Sequence, residues 1–333
     1  MQGRDTTDIE PSLDVEANAG DLSSFVEREP LPIRRYLTDA ALVVAMAGGL
    51  ELFCRIYGPY ERGFFCDDES IRYEYKPNTI SLFTLIMFLL IPNVLMIIAV
   101  ECYRMHRTRT NVETYSTYEN GRPHTMKLLI RLAIFHGYYI ASILVIMTLT
   151  SATKYPVGRL RPHFMDVCRP NVGYDSCNTS SEIVDYYCTS GLSAQILEAR
   201  LSFFSGHSSL SVGSATFGVI YLQDRLYGLL KSRVIVPIFQ TMYFCTALYI
   251  AYTRIFDNWH HWSDVLVGTL VGIVVMMIMC QYFTGLKPRF KPTPHERVFL
   301  LSHHGTANNM STLTFTSQDP LPNFNYGTNV NNL

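Results

Sequence analysis

The sequence is short of charge. Only 17% of its 333 residues are Asp, Glu, Lys or Arg, against about 25% in soluble domains. Neither sign dominates: 27 basic and 28 acidic residues leave a formal net charge of −1. A basic face able to hold nucleic acid is therefore not expected. The chain has no Walker loop, no Gly-x-Gly-x-x-Gly and no internal repeat, so these routes to nucleotide binding and to a repeat architecture drop out. No His, Cys, Asp or Glu cluster has metal-site spacing, and neither a metal nor another cofactor is expected. Residues 1–31 are polar and acidic, so no cleavable signal is visible. The first membrane span is then expected to act as the insertion signal.

What the chain has instead is apolar length. Hydrophobic residues make up 48%, and the mean hydropathy of +0.11 blends polar tails with apolar runs. Six runs stand out, at 36–53, 80–100, 128–149, 201–222, 235–252 and 265–282. Each approaches the ~20 residues that a bilayer requires of a helix. The expected fold is all-α, a polytopic membrane bundle of six helices over residues 34–287. Tails at 1–33 and 288–333 are polar enough to stay disordered. The first run is the weakest, because it carries Glu51 and Gly48-Gly49; a buried amphipathic helix is its alternative. Pro92 implies a kink in the second run rather than a break. Arg131, near one end of the third, can snorkel. The fourth run is rich in Ser and Gly, which suits close helix packing.

Basic residues assign the sides. Arg34 and Arg35, the cluster Arg104, Arg107, Arg109, Arg122 and Lys127, then Arg225, Lys231 and Arg233, and finally Lys287, Arg289 and Lys291 share one parity. The positive-inside rule makes that side cytosolic, with both termini. Loops 54–78, 150–200 and 253–264 then lie outside or in a lumen. The sequon at Asn178 falls on that outer side, whereas the one at Asn309 falls inside and should stay bare. Cys66, Cys168, Cys177 and Cys188 are outer-loop disulfide candidates, with three pairings open.

Three outer-side stretches carry unusual chemistry. In Lys154-Tyr155-Pro156-Val157-Gly158-Arg159-Leu160-Arg161-Pro162, Lys154 and Arg161 are about two turns apart if helical. Their heads can then converge on a phosphate dianion. In Phe204-Ser205-Gly206-His207-Ser208-Ser209, Ser205 and Gly206 open a helix whose N–H groups can face an anion. His207 stands where it could give a proton. Between the last two runs, Arg254 adds a phosphate donor, and a helix starting near Asn258 would set His260 and Asp264 on one face. A carboxylate there fixes the imidazole tautomer and frees the other nitrogen to attack. His261 would point about 100° away. Interfacial aromatics and wet histidines are the bland alternative for this turn.

Taken together, the three stretches resemble the type 2 phosphatidate phosphatase superfamily. Its signature is Lys-x6-Arg-Pro, then Pro-Ser-Gly-His, then Ser-Arg-x5-His-x3-Asp. It is met here by Lys154, Arg161-Pro162, Ser205-Gly206-His207, Arg254, His260 and Asp264. Phe204 stands for the Pro, and Thr253 for the Ser. The supporting stretches 63–66, 70–73 and 155–164 narrow the resemblance to lipid phosphate phosphatases, over residues 34–287. The resemblance implies a metal-independent phosphomonoesterase with His260 as nucleophile, Asp264 as its orienter and His207 as acid and then base. Lys154, Arg161, Arg254, Ser205 and Gly206 would hold the phosphoryl oxygens. It further implies lipid phosphate substrates: phosphatidate, lysophosphatidate, sphingosine 1-phosphate and ceramide 1-phosphate. A homo-oligomer in the plasma membrane, or in the ER or Golgi, is expected on the same basis. A transporter or lipid-binding adaptor is the alternative from another class, since polar residues within spans serve a pathway too. It does not call for the full catalytic set at one membrane face.

Overall fold

A computed structural model describes residues 31, 33–107, 119, 121–172, 182–227, 229–230, 232–284 and 286. The chain divides into a unit Met1–Phe290 and a unit Lys291–Leu333, and all of these residues lie in the first. Asn178, Cys177, Asn309, most of the tail 1–33 and all of the tail 288–333 lie outside the described residues.

The architecture is helical, and among the described residues it has no named strand. Two isolated bridges, Phe64 with Ile183 and Pro170 with Cys188, tie the loops outside the helices. The elements are α1 (Ile33–Tyr57), α2 (Leu82–Arg107), α3 (His124–Val157), the short α4 (Phe164–Cys168) and α5 (Ser193–Ala199), α6 (Gly206–Arg225), α7 (Ile235–Phe256) and α8 (Trp262–Met279). A π-helical turn, Cys280–Thr284, extends α8.

Five of these, α1, α2, α3, α7 and α8 with its extension, are long and apolar enough to cross a membrane. The chain is a polytopic helical membrane protein. α6 has 20 residues, about 30 Å at 1.5 Å each, but its Ser, Thr and Gly content keeps it out of that apolar set. Its burial explains the composition: α6 packs against α2, α3, α7 and α8, and Ser208, Ser209, Ser211, Gly213, Ser214 and Ala215 are all buried. Small side chains let neighbouring backbones approach. The Ser211 hydroxyl is satisfied locally, donating to the carbonyls of Ser208 at 3.4 Å and Ala247 at 3.2 Å, as serines within helices commonly do.

α1 is the opposite case. Only 6% of its most apolar window is buried, and Leu37, Leu42, Val44, Leu52 and Ile56 are exposed. That surface suits lipid and rules out the buried amphipathic alternative. α2 continues unbroken through Pro92. The next residue, Asn93, is fully buried, and its amide donates to Leu89 O at 2.9 Å and to Ser214 Oγ at 2.8 Å.

At one end of the bundle lies an ionic cluster that corrects the expectation for Arg131. This side chain does not snorkel; it is 2% exposed. Its guanidinium donates to Glu119 at 2.8–3.1 Å and stands 3.5 Å from Glu101. Glu101 also accepts from Arg225 at 2.9 and 3.0 Å and from the Tyr221 hydroxyl at 3.0 Å. Charges buried this deeply persist only when paired and hydrogen-bonded. The other end of the bundle carries the three chemistry-bearing stretches.

Candidate active site

The site begins where α3 stops. Gly158 ends the helix with φ 55°, its N–H donating to Lys154 O at 3.0 Å. A Cβ there would lie 2.1 Å from the Tyr60 carbonyl oxygen, so only glycine fits. Lys154 and Arg161 therefore do not share a helix, contrary to the two-turn expectation. The chain beyond Gly158 instead runs beside residues 199–202. Arg161 N–H donates to Ala199 O at 2.8 Å and Ser202 N–H to Arg159 O at 3.0 Å. The two cations still feel each other's charge.

Arg161 is 3% exposed, with its guanidinium 4.6 Å above the Trp259 ring centroid. Nη2 donates to Glu198 at 2.9 Å and to Leu201 O at 3.3 Å. Nε and Nη1 are buried with no hydrogen-bond partner among the described residues. Burial lowers this guanidinium to about 10, with Glu198 opposing the shift. It stays cationic at neutral pH.

α6 starts at Gly206, five residues later than the apolar run, because residues 199–202 pair with the segment after α3. Ser205 caps the helix, accepting from the Ser208 N–H at 3.4 Å and the Ser208 hydroxyl at 2.9 Å. Its own N–H donates to Asp264 O at 3.0 Å. The approach of α8 is close enough that a Cβ on Gly268 would fall 2.5 Å from the Ser205 carbonyl oxygen. His207 follows Gly206 within range of the charges of Arg254, Lys154 and Arg161. Its Nε2 is buried and without a partner among the described residues.

The α7–α8 turn completes the group. Arg254 is 1% exposed and donates to Asn78 at 2.6 Å, to Asp257 at 2.8 Å and to the Thr253 hydroxyl at 3.1 and 3.2 Å. Thr253 itself donates to Ile250 O at 2.7 Å. The hydroxyl that Thr keeps in place of Ser is thus the part in use. The loop before α2 clamps this turn: Thr79 donates to Asp257 at 2.7 and 2.8 Å, and the Trp259 indole to Lys76 O at 2.9 Å. His163 Nδ1 lies 2.8 Å from the Asn258 carbonyl. Burial, reinforced by Arg161, lowers His163 to about 4. The ring is neutral at pH 7, and its Nδ1–H is the donor.

α8 starts at Trp262, not near Asn258. Asn258 is left-handed, at φ 61°, which stops any helix from passing through it. His260 therefore precedes the helix, with Nδ1 3.8 Å from Asp264 Oδ2, longer than a hydrogen bond. His261 Nδ1 is nearer the same oxygen, at 3.3 Å, and its N–H donates there at 3.1 Å. His261 is thus not turned away from Asp264: it caps α8 and bonds the carboxylate that His260 only faces. Burial holds the 3%-exposed His260 well below the usual histidine range; Asp264 opposes this, and Arg161 and Lys154 reinforce it. A neutral imidazole can act as a nucleophile.

Sequence reasoning missed Arg159 and Ser202. Arg159 Nη1 donates to Asp264 Oδ1 at 2.5 Å, and Ser202 Oγ to Oδ2 at 2.6 Å. A basic residue two before Arg161 was the only available signal. Among the four loop cysteines singled out as disulfide candidates, Cys168 is bonded to Cys188, and Cys66 also belongs to a disulfide. No group of three or more His, Cys, Asp or Glu side chains among the described residues is placed to hold a metal.

Residues 135–287 match the PAP2 superfamily model. A Caenorhabditis elegans protein named phospholipid phosphatase homolog 1.2 homolog is 43% identical over 69% of this chain and 67% of its own. Phospholipid phosphatase 2 of Bos taurus is 34% identical over 78% of this chain and 84% of its own. A putative phosphatidate phosphatase of Drosophila melanogaster is 32% identical over 76% and 70%. No solved structure matches the chain.

Proposed function

The chain belongs to the phospholipid phosphatases of the PAP2 superfamily, and from that premise we propose that it dephosphorylates lipid phosphate monoesters through a phospho-histidine at His260. It is a membrane-integral lipid phosphatase; the roles of its residues are our reading of the geometry. One observation carries that reading. Arg161 Nε and Nη1 and His207 Nε2 are buried and unpartnered among the described residues, in a place shared with Lys154 and Arg254. Buried polar groups without partners are costly; a phosphate dianion accepts from the free Arg161 N–H groups, and His207 Nε2 joins them when its ring is protonated.

In the first step His260 Nε2 attacks phosphorus in line. The P–O bond to the lipid breaks, and His207 protonates the departing alkoxide. Lys154, Arg161, Arg254, the Ser205 hydroxyl and the Gly206 N–H hold the equatorial oxygens, whose charge is shared through the transition state. Asp264 steadies the ring as it becomes cationic; the 3.8 Å separation closes as that charge appears, since such contacts tighten on the reaction path. Water, deprotonated by His207, then attacks phosphorus and releases inorganic phosphate from His260. The fixed cations do the neutralising that a metal does elsewhere. Phosphatidate, lysophosphatidate, sphingosine 1-phosphate and ceramide 1-phosphate present the required monoester. The basic loops favour a site on the outer or lumenal face, with both termini in the cytosol. Plasma membrane is the expected location.

The test is acid-labile ³²P labelling and phosphate release by His260→Ala, His261→Ala and His207→Ala. His260→Ala should neither label nor turn over, whereas His261→Ala should retain turnover. His207→Ala should label from a nitrophenyl ester, whose leaving group needs little protonation, and then stall. Labelling of His260→Ala but not of His207→Ala would reverse the two roles.

A further inference from the structure

Asp264 is held by side chains that the three catalytic spacings do not include. The carboxylate is fully buried. Oδ1 takes Arg159 Nη1 at 2.5 Å, while Oδ2 takes Ser202 Oγ at 2.6 Å and His261 N–H at 3.1 Å. Arg159 also donates to Ser263 Oγ at 2.9 Å, next to Asp264 in the chain. Its placement is not accidental to the loop: the Arg159 carbonyl accepts from Ser202 N–H at 3.0 Å, so both donors are set by one backbone contact. The Arg159 side chain is 32% exposed. It lines a cavity of about 460 Å³ with Tyr60, Arg62, Ser70, Glu182 and His261.

Resting on the phospho-histidine reading, we propose that Arg159 is a positioning residue for Asp264. Its guanidinium fixes the carboxylate through Oδ1 and tempers the negative charge that Oδ2 presents to His260. His260 then rests as a neutral nucleophile and draws on Asp264 only as it becomes cationic. Lys154 of α3, Arg159 and Arg161 of the segment after it, and His261 of the turn act on this pair directly. A second ring of charge acts on those cations: Glu198 of α5, His207 of α6, and Arg254 of α7, itself paired with Asp257. Of these, Arg159 makes the shortest ion-pair contact with Asp264, at 2.5 Å. Lys154 and Arg161 oppose protonation of His260 whether or not Arg159 is present.

The sign follows. Without Arg159, Asp264 offers His260 a fuller negative charge and stabilises its imidazolium at rest. His260 then takes up its proton at higher pH, and a protonated ring cannot attack. The acid limb of kcat/KM moves upward. A role confined to folding would lower the plateau and leave the limb where it is.

The test uses the full chain in detergent micelles with a short-chain phosphatidate, measuring kcat/KM against pH. Arg159→Gln keeps a donor but no charge, and its acid limb should rise by about one pH unit, the usual size of one close charge. That is about a tenfold loss on the limb relative to its own plateau. Arg159→Lys keeps the charge, and its limb should stay near that of the parent. In Arg159→Ala, millimolar guanidinium should return the limb toward the parent position, since the adjoining cavity admits it. Should Arg159→Gln not fold, Arg159→Ala with and without guanidinium reads the same shift. Limbs of parent and Arg159→Gln that superimpose after scaling overturn this proposal, and the phospho-histidine reading stands so long as His260→Ala is dead. Turnover by His260→Ala overturns both.

Discussion

Consider a single methyl group added at Gly268, nearly two turns into α8. The new Cβ would sit 2.5 Å from the Ser205 carbonyl oxygen. Ordinary carbon contacts lie at about 3.5 Å, so the helix and the Ser205 loop must part by roughly 1 Å. That obstacle is backbone, not the free end of a side chain, and it cannot swing aside. The contact that opens includes the Ser205 N–H to Asp264 O hydrogen bond, now 3.0 Å. Ser205 caps α6 and precedes His207 by two residues, while Asp264 lies on α8 beside His260. The methyl group therefore drives the proposed acid and nucleophile apart. Overpacking of this kind costs about 1–3 kcal/mol of stability, and a 1 Å misplacement costs about 10²-fold in rate. We expect Gly268→Ala to be inserted and folded, with kcat down by about two orders of magnitude on phosphatidate in micelles. Gly48→Ala is the matched control, because a Cβ there meets nothing within 4 Å; it should keep full activity. A Gly268→Ala enzyme with parental kcat would show that the α6–α8 contact does not set the catalytic geometry.

Three further outcomes are expected. Phosphate release should survive EDTA, because the cations of the site are Lys154, Arg161 and Arg254; loss on chelation with recovery in Mg²⁺ would overturn the metal-free scheme. Glu101→Gln should destabilise the chain by about 3–5 kcal/mol, since it breaks a buried ion pair and leaves Arg225 and Arg131 short of a counter-charge. Its melting temperature in detergent, compared with the parent, reads the loss, and an unchanged value would refute the structural role. Glycosidase should shift the parent but not Asn178→Gln, and Asn309→Gln should behave as the parent; a shift that depends on Asn309 would invert the proposed topology.

Membrane class and the three motif stretches were legible because they are local. An apolar run announces a span by its own length, and Lys154, Arg161, His207, Arg254, His260 and Asp264 stand at spacings readable along the chain. α6 was legible for the same reason: its Ser and Gly residues declare a helix packed inside others. Other features belong to contacts between residues far apart in the chain. Arg159 and Ser202 reach Asp264 from 105 and 62 positions away, and nothing in their own neighbourhood says so. Arg131 looked like an interfacial residue until its partner Glu101 arrived from α2. The start of α8 was misjudged because the spacing of His260 and Asp264 suits a helical turn, whereas Thr79, Glu74 and Lys76 pin Asp257, Asn258 and Trp259 into a loop. Short-range rules read spacing and capping from the chain itself. Which charge a buried carboxylate meets depends on how the helices pack, and that is settled only when burial forces every polar group to find its partner.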